Sequence, residues 1–169
     1  IIPRGRALGL TMQLPEEDKH IHSKSYWIKQ IIILFGGYLA ELLKFKEITT
    51  GSSNDLERAS DISRRMVCEW GMSERLGPIT FGKKNEQIFL GREISQHRDY
   101  SENTAQMIDD EVNGIIGSCR SEAEKLLSEN MSTFENISRS LIERETLNAD
   151  EIKLIMDGKS LPPMNGKNS

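Results

Sequence analysis

Apolar residues recur every three or four positions over most of the chain, which is the period of helices that bury one face. Residues that cap helices precede several of these stretches, and glycine follows two of them. The pattern predicts five helices, at about residues 24–45, 54–70, 101–129, 132–145 and 148–156. We therefore expect a mainly helical protein.

Two short regions have a strand pattern instead. Residues 7–14 alternate small or apolar residues with polar ones before Pro15 removes a backbone donor, which predicts one short strand. Residues 79–81 and 88–90 flank a loop and suit a small hairpin. The predicted fold class is mainly α, a helical domain with a few short strands over residues 1–158, followed by a disordered tail at 159–169.

Capping patterns mark where individual helices begin and end. Ser52, Ser53 or Asn54 can cap the second helix, and Asn54 and Glu57 have the spacing of a capping box there. Asn148 and Glu151 have the same spacing at the start of the last one. Gly71 is expected to end the second helix in a left-handed conformation.

The first helix contains the longest apolar stretch and a pair of glycines. The stretch runs from Gln30 to Ala40, which is far short of the roughly 20 residues that a membrane span needs. Gly36 and Gly37 lie inside it, although each glycine costs about 1 kcal/mol relative to alanine within a helix. We therefore expect a neighbouring helix to pack closely against this pair.

Composition and charge exclude several classes of protein. The 169 residues are 37% hydrophobic, which suffices for one globular domain with a core. A net charge of -4, with acidic and basic residues mixed, leaves no basic stripe for nucleic acid. Cys68 and Cys119 form no CxxC motif, which favours a reducing compartment, and both lie on or beside apolar stripes, which favours buried, inert thiols.

Residues that could carry chemistry are few. The three histidines, His20, His22 and His97, do not form an H-E-x-x-H motif, so no complete metal site can be written and all three stay unassigned. Nucleophile-elbow and nucleotide-binding motifs are missing from the sequence. Taken alone, Asp55 is a structural residue that stabilises the positive end of a helix dipole. Glu41 lies either at the rim of a polar face or partly buried, where orienting a metal-binding histidine is one possible task.

Six segments resemble the FtsH family of ATP-dependent membrane proteases, in which a zinc-protease domain follows a AAA ATPase. They occur in the family's order and spacing and together cover nearly the whole chain, which makes the resemblance highly specific. The segments are Ile1-Ile2-Pro3-Arg4-Gly5-Arg6-Ala7-Leu8-Gly9, Leu14-Pro15-Glu16-Glu17-Asp18, Gly36-Gly37-Tyr38-Leu39-Ala40-Glu41, Thr49-Thr50-Gly51-Ser52-Ser53-Asn54-Asp55, Trp70-Gly71-Met72-Ser73-Glu74-Arg75-Leu76-Gly77-Pro78 and Phe89-Leu90-Gly91-Arg92.

The resemblance implies a zinc endopeptidase that degrades unfolded or membrane proteins. It implies two zinc-binding histidines and a general-base glutamate on a helix shortly before Ile1, with Asp55 as the third protein ligand of Zn²⁺. This reverses the structural interpretation of Asp55. Three protein ligands leave a fourth position where a water molecule can be activated to attack a peptide carbonyl.

Two further site assignments follow from the resemblance. An edge strand near the cleft would hold extended substrate by main-chain pairing, with a plain sheet edge as the alternative. Glu41 matches the first of two adjacent acidic residues in the family, and Leu42 stands where the second is expected, so Glu41 alone keeps a role beside the zinc ligands. The residues of the substrate-binding strand are Gly9, Leu10, Thr11 and Met12.

The chain begins at Ile1 without an initiator Met, and we expect it to be a piece of a longer protein. Without the H-E-x-x-H helix it should be inactive, or be a pseudo-protease piece that serves assembly. The implied parent is a homo-hexamer that binds ATP in a AAA module and acts on protein substrates. A membrane anchor outside this chain would leave the domain on the cytoplasmic side, or on the matrix or stroma side of an organelle. The alternative is a non-catalytic oligomerisation module, built from the helices between Ser101 and Met156.

Overall fold

A computed structural model describes residues 21–82 and 100–163. Within these ranges the fold is helical, as the periodicity predicts, and no helix there is long and apolar enough to cross a membrane. The elements are α1 (Lys24–Phe45), a 3₁₀ turn (Thr50–Ser52), α2 (Ser53–Cys68), α3 (Glu102–Glu129), α4 (Met131–Arg144) and α5 (Ala149–Met156).

The predicted strands are not found among the described residues. Residues 79–81 form no strand; instead Phe81 donates its backbone N–H to the carbonyl of Cys68 at 2.9 Å, so the segment returns to the end of α2. The Phe81 side chain packs against the core there and stacks edge-on with Tyr100 at 5.9 Å between ring centroids. The strand at 7–14 and the second hairpin arm at 88–90 lie outside the described residues.

The chain divides into two compact units, of which the first comprises residues 21–125. In this unit α1 packs along α2, and α3 adds Ile108 and Val112, which join Val67 of α2 in one buried cluster. Burial of these apolar faces is what the three- and four-residue spacing encodes. The buried hydrophobic residues of the unit are Ile31, Phe35, Leu39, Ala59, Met66, Val67, Ile108, Val112, Cys119 and Ala123.

The second unit has described residues 126–163 and is built on the α4–α5 pair. The predicted capping box at α5 is present, with Asn148 Oδ1 accepting from the Glu151 N–H at 2.9 Å and the Glu151 carboxylate accepting from the Asn148 N–H at 2.9 Å. Arg144 donates to Glu151 at 3.3 Å and to the Pro162 carbonyl at 2.5 Å. Disorder of residues 159–169 and the domain limit at 158 stay predictions.

One predicted cap is wrong. The residue before α2 is Ser52, so Asn54 lies inside the helix and forms no capping box with Glu57. Thr49 acts one turn earlier, because its hydroxyl accepts from the Gly51 N–H and caps the 3₁₀ turn. Three neighbouring polar residues, Ser52, Ser53 and Asn54, offered competing caps, and α2 begins directly after the 3₁₀ turn that ends at Ser52.

Glycines 36 and 37 do not have the expected close neighbour. A Cβ built at either position meets no described atom within 4 Å, so close packing of a helix against the pair is wrong for this part of the chain. Gly71 behaves as predicted, since its φ of +60° is left-handed and its α-carbon faces Pro78.

We expect Gly37→Ala to raise the free energy of unfolding by roughly 0.5–1 kcal/mol, because alanine favours helix and restricts the unfolded chain. The matched control Gly71→Ala should lower it by more than about 1 kcal/mol, because an L residue at φ +60° is strained and its Cβ would lie 3.0 Å from Pro78 Cα. Urea unfolding followed by tryptophan fluorescence measures both. A less stable Gly37→Ala variant would show that the glycine serves a contact.

Candidate functional site

The candidate site lies in the loop and turn that join α1 to α2. The loop begins at Lys46, whose left-handed φ of 57° turns the chain away from α1. The 3₁₀ turn follows at Thr50–Ser52 and leads directly into α2. Asp55 lies in the first turn of α2, so its carboxylate is held at the helix end that carries partial positive charge.

Glu41 and Thr49 hold this loop against α1. The Glu41 carboxylate accepts the Thr49 N–H at 3.1 Å and the Thr49 hydroxyl at 3.1 and 3.2 Å to its two oxygens. The same hydroxyl oxygen accepts the Gly51 N–H at 3.1 Å. We call these hydrogen bonds among Glu41, Thr49 and Gly51 the Glu41–Thr49 clasp. Sequence reasoning missed it, because nothing in the helical period links a residue of α1 to a loop residue.

Ser52 lies beside the clasp and has an unusual environment. It is 4% exposed, and its hydroxyl has no hydrogen-bond partner among the described residues. A serine before a helix usually caps it from an extended backbone, but Ser52 has φ -88° and ψ 3° and makes no cap bond. A buried hydroxyl without a partner is costly, and Ser52, directly before α2, carries such a group among the described residues.

Asp55 itself is partly buried. Its side chain makes no hydrogen bond or ion pair with any residue in the described ranges. A carboxylate oxygen is an ordinary ligand for zinc, and a carboxylate already engaged in an ion pair would be a poor one. Asp55 therefore has the chemistry and the freedom of a metal ligand.

Some of the other predicted site residues lie within the described ranges, and the rest lie outside them. The described ranges contain no group of three or more His, Cys, Asp or Glu residues that could hold a metal ion. His22 is half-buried and stacks on Tyr26, with ring centroids 4.0 Å apart. The remaining histidines, His20 and His97, and the substrate-strand residues Gly9, Leu10, Thr11 and Met12 lie outside the described residues.

Both cysteines behave as inert thiols. Cys119 is buried and Cys68 is half-buried, and neither forms a disulfide. Burial raises the pKa of each thiol, because a thiolate loses hydration in an apolar setting. The nearby Arg64 opposes this effect at Cys68 without overcoming it. Neutral thiols are poor nucleophiles and poor metal ligands, in agreement with the sequence interpretation.

The turn after α2 is fixed to α3 by polar contacts that sequence reasoning also missed. Ser73 is buried and donates its hydroxyl proton to Glu111 at 2.6 Å. Arg75 pairs with Asp110 at 3.2 Å. A hydrogen bond from Gln106, assisted by Arg75, lowers the pKa of Asp110. These contacts explain the Trp70–Pro78 segment as a structural connection.

The described residues offer one candidate metal ligand, Asp55, in the first turn of α2, and sequence comparison identifies the family. Residues 1–155 match the profile of Peptidase family M41, and the chain belongs to this family.

Several curated relatives with similar sequences are named ATP-dependent zinc metalloprotease FtsH. The protein of Acidobacterium capsulatum is 54% identical over 164 residues, which is 97% of this chain and 26% of the relative. The FtsH 1 protein of Thermoanaerobacter sp. is 50% identical over 95% of this chain and 26% of its own length. The Endomicrobium trichonymphae protein is 47% identical over 100% of this chain and 27% of its own. The chain thus spans about a quarter of the length of these relatives.

Proposed function

We propose that this chain is the later part of the protease domain of an ATP-dependent zinc endopeptidase, and that Asp55 is the third protein ligand of the zinc ion. The observation that carries the proposal is the partly buried Asp55 carboxylate in the first turn of α2, which has no hydrogen bond or ion pair to another residue in the described ranges. Family membership supports it, and so do relatives whose names describe zinc metalloproteases.

The residues of this chain can supply one of the three protein ligands of a zinc site. Asp55 supplies one carboxylate oxygen, and two histidines and the general-base glutamate would come from residues preceding Ile1. When bound, zinc supplies the activation of a water molecule for attack on a peptide carbonyl. In this proposal Asp55 binds the metal ion. The Glu41–Thr49 clasp holds the turn that precedes Asp55.

Two other assignments belong to the proposal. Glu41 orients a metal-binding histidine, since a carboxylate has about four acceptor sites and the clasp leaves some of them open. Residues Gly9, Leu10, Thr11 and Met12 form an edge strand that pairs with extended protein substrates.

The intact protein is proposed to be a membrane-anchored homo-hexamer that degrades unfolded or membrane proteins and is driven by ATP bound in a AAA module. We further propose that the protease domain lies on the cytoplasmic side, or on the matrix or stroma side of an organelle. Assembly is supported by exposed apolar side chains on the later helices, where Ile142 is 75% and Met156 65% exposed. These helices also support the alternative of a non-catalytic oligomerisation module.

Zinc dependence tests the proposed function. The full-length protein should degrade an unfolded protein substrate in the presence of ATP, lose that activity with a chelator, and regain it when Zn²⁺ is restored. A matched sample given Mg²⁺ alone after chelation should stay inactive. Proteolysis that survives complete removal of zinc would contradict the proposal. The 169-residue chain alone is expected to be inactive.

A further inference from the structure

The Glu41–Thr49 clasp connects the two elements whose relation decides where the Asp55 carboxylate lies. Glu41 belongs to α1 and Asp55 to the first turn of α2. Buried apolar residues pack α1 against α2. On α2 the first of these residues is Ala59, which lies after the first turn. The position of the first turn therefore depends on the loop and on what holds it.

The clasp fits closely around the 3₁₀ turn. A Cβ added at Gly51 would lie 3.2 Å from the Thr49 hydroxyl oxygen and 3.4 Å from a Glu41 carboxylate oxygen. The first distance is shorter than ordinary van der Waals contact, so a side chain at Gly51 would require the Thr49 hydroxyl to shift by a few tenths of an ångström.

A carboxylate suits this position for a chemical reason. Thr49 presents two donors, its backbone N–H and its hydroxyl, and both are directed at Glu41. An ionised carboxylate accepts through both oxygens, whereas a glutamine has one acceptor oxygen and an NH₂ group that repels a second donor. Hydrogen bonds to an ionised acceptor are roughly twice as strong as neutral ones.

We propose that Glu41 is a positioning residue for the metal ligand: through Thr49 and Gly51, its carboxylate fixes the turn that delivers Asp55 to zinc. The inference rests on the proposed function and adds to it. Metal ligands must be held within about 0.5 Å of their working position by the residues that support them. The clasp supplies that support from α1, and Thr49 becomes a member of the site.

Three substitutions separate this role from a general loss of structure. Thr49→Val keeps the shape of the side chain and removes the hydroxyl, while Thr49→Ser keeps the hydroxyl and should rescue. Glu41→Gln removes the charge and one acceptor. The matched control is Glu47→Gln, which makes the same chemical change at an exposed residue of the same loop.

The first measurement is the zinc affinity of the full-length protein, determined by competition with a chromophoric chelator. Thr49→Val and Glu41→Gln should weaken zinc binding about 10- to 100-fold, the range found when partners that orient metal ligands are removed. Thr49→Ser and Glu47→Gln should bind zinc as the wild type does. Equal affinity in all four variants would overturn the proposal.

The second measurement is hydrogen exchange of the peptide spanning residues 46–55 in the zinc-free full-length protein. Faster exchange is expected in Thr49→Val and Glu41→Gln only, with the Gly51 amide most affected, since it loses its acceptor when the hydroxyl is removed. Unchanged exchange in both variants would also overturn the proposal, because the clasp would not be holding the loop.

The two proposals can fail separately. If the wild-type protein binds no zinc, the proposed function fails, while exchange still tests whether the clasp holds the loop. If the wild type binds zinc, Asp55→Ala weakens it and the clasp variants do not, only the positioning role of Glu41 is lost.

Discussion

Replacing Asp55 with alanine in the full-length protein should lower its zinc affinity by more than about 100-fold, since loss of partners beyond the ligands already costs 10- to 100-fold. Zinc-dependent proteolysis should be abolished with it. The side chain has no hydrogen bond or ion pair to another described residue, so this loss reflects the metal and not a broken contact within the described part. Chelator competition and a protease assay measure the two effects.

The stability of the Asp55→Ala variant provides an internal check. A carboxylate in the first turn of a helix contributes about 0.3–1 kcal/mol through the helix dipole, which is too little to unfold the domain. The matched control is Asp61→Ala, which removes an exposed carboxylate from the same helix and should leave zinc binding unchanged. An Asp55→Ala variant that keeps its zinc and its activity would rule out Asp55 as a ligand.

The largest expected effect on stability is that of Ile108→Ala. Ile108 is 1% exposed and packs with Val67 and Val112 in the cluster that joins α2 to α3. Removing its buried methyl groups should lower the free energy of unfolding by about 2–5 kcal/mol, from lost burial and from the cavity left behind. Because small domains are stable by only about 5–15 kcal/mol, this loss is a large fraction of the total stability.

Ile33→Ala is the matched control for that experiment. It removes the same atoms from a residue of α1 that is 52% exposed, and alanine is the better helix former, so the change should stay within about 0.5 kcal/mol. Urea unfolding can be followed through Trp27 and Trp70, whose rings stack 4.8 Å apart in the same unit. Equal losses in the two variants would mean that Ile108 does not lie in the core.

The helices were predictable because their information is local. Burial of one face leaves a period that can be read directly, and the ends predicted for α1 at Lys24 and Phe45 agree with the structure. The Asn148 capping box was equally predictable, since both of its hydrogen bonds lie within one turn. The strand predicted at residues 79–81 is not observed, because a β-like composition cannot reveal that the Phe81 backbone will pair with the end of α2.

The candidate site was much less predictable from residue patterns. Asp55 looks like any acidic residue in a first helical turn, and only the resemblance to a family makes it a candidate metal ligand. The Glu41–Thr49 clasp depends on how the loop folds back on α1, which no periodicity encodes. The close neighbour predicted for Gly36 and Gly37 is not found among the described residues, since a helix-breaking residue does not identify the neighbour that would explain it.

The most direct test of Asp55 as a zinc ligand is anomalous diffraction at the zinc absorption edge from crystals of the full-length protein. The proposed function predicts one anomalous peak per subunit, about 2.0–2.2 Å from an Asp55 carboxylate oxygen, with two histidines from the preceding helix completing the protein ligands. A zinc peak held by other residues, with Asp55 turned away from it, would contradict the assignment.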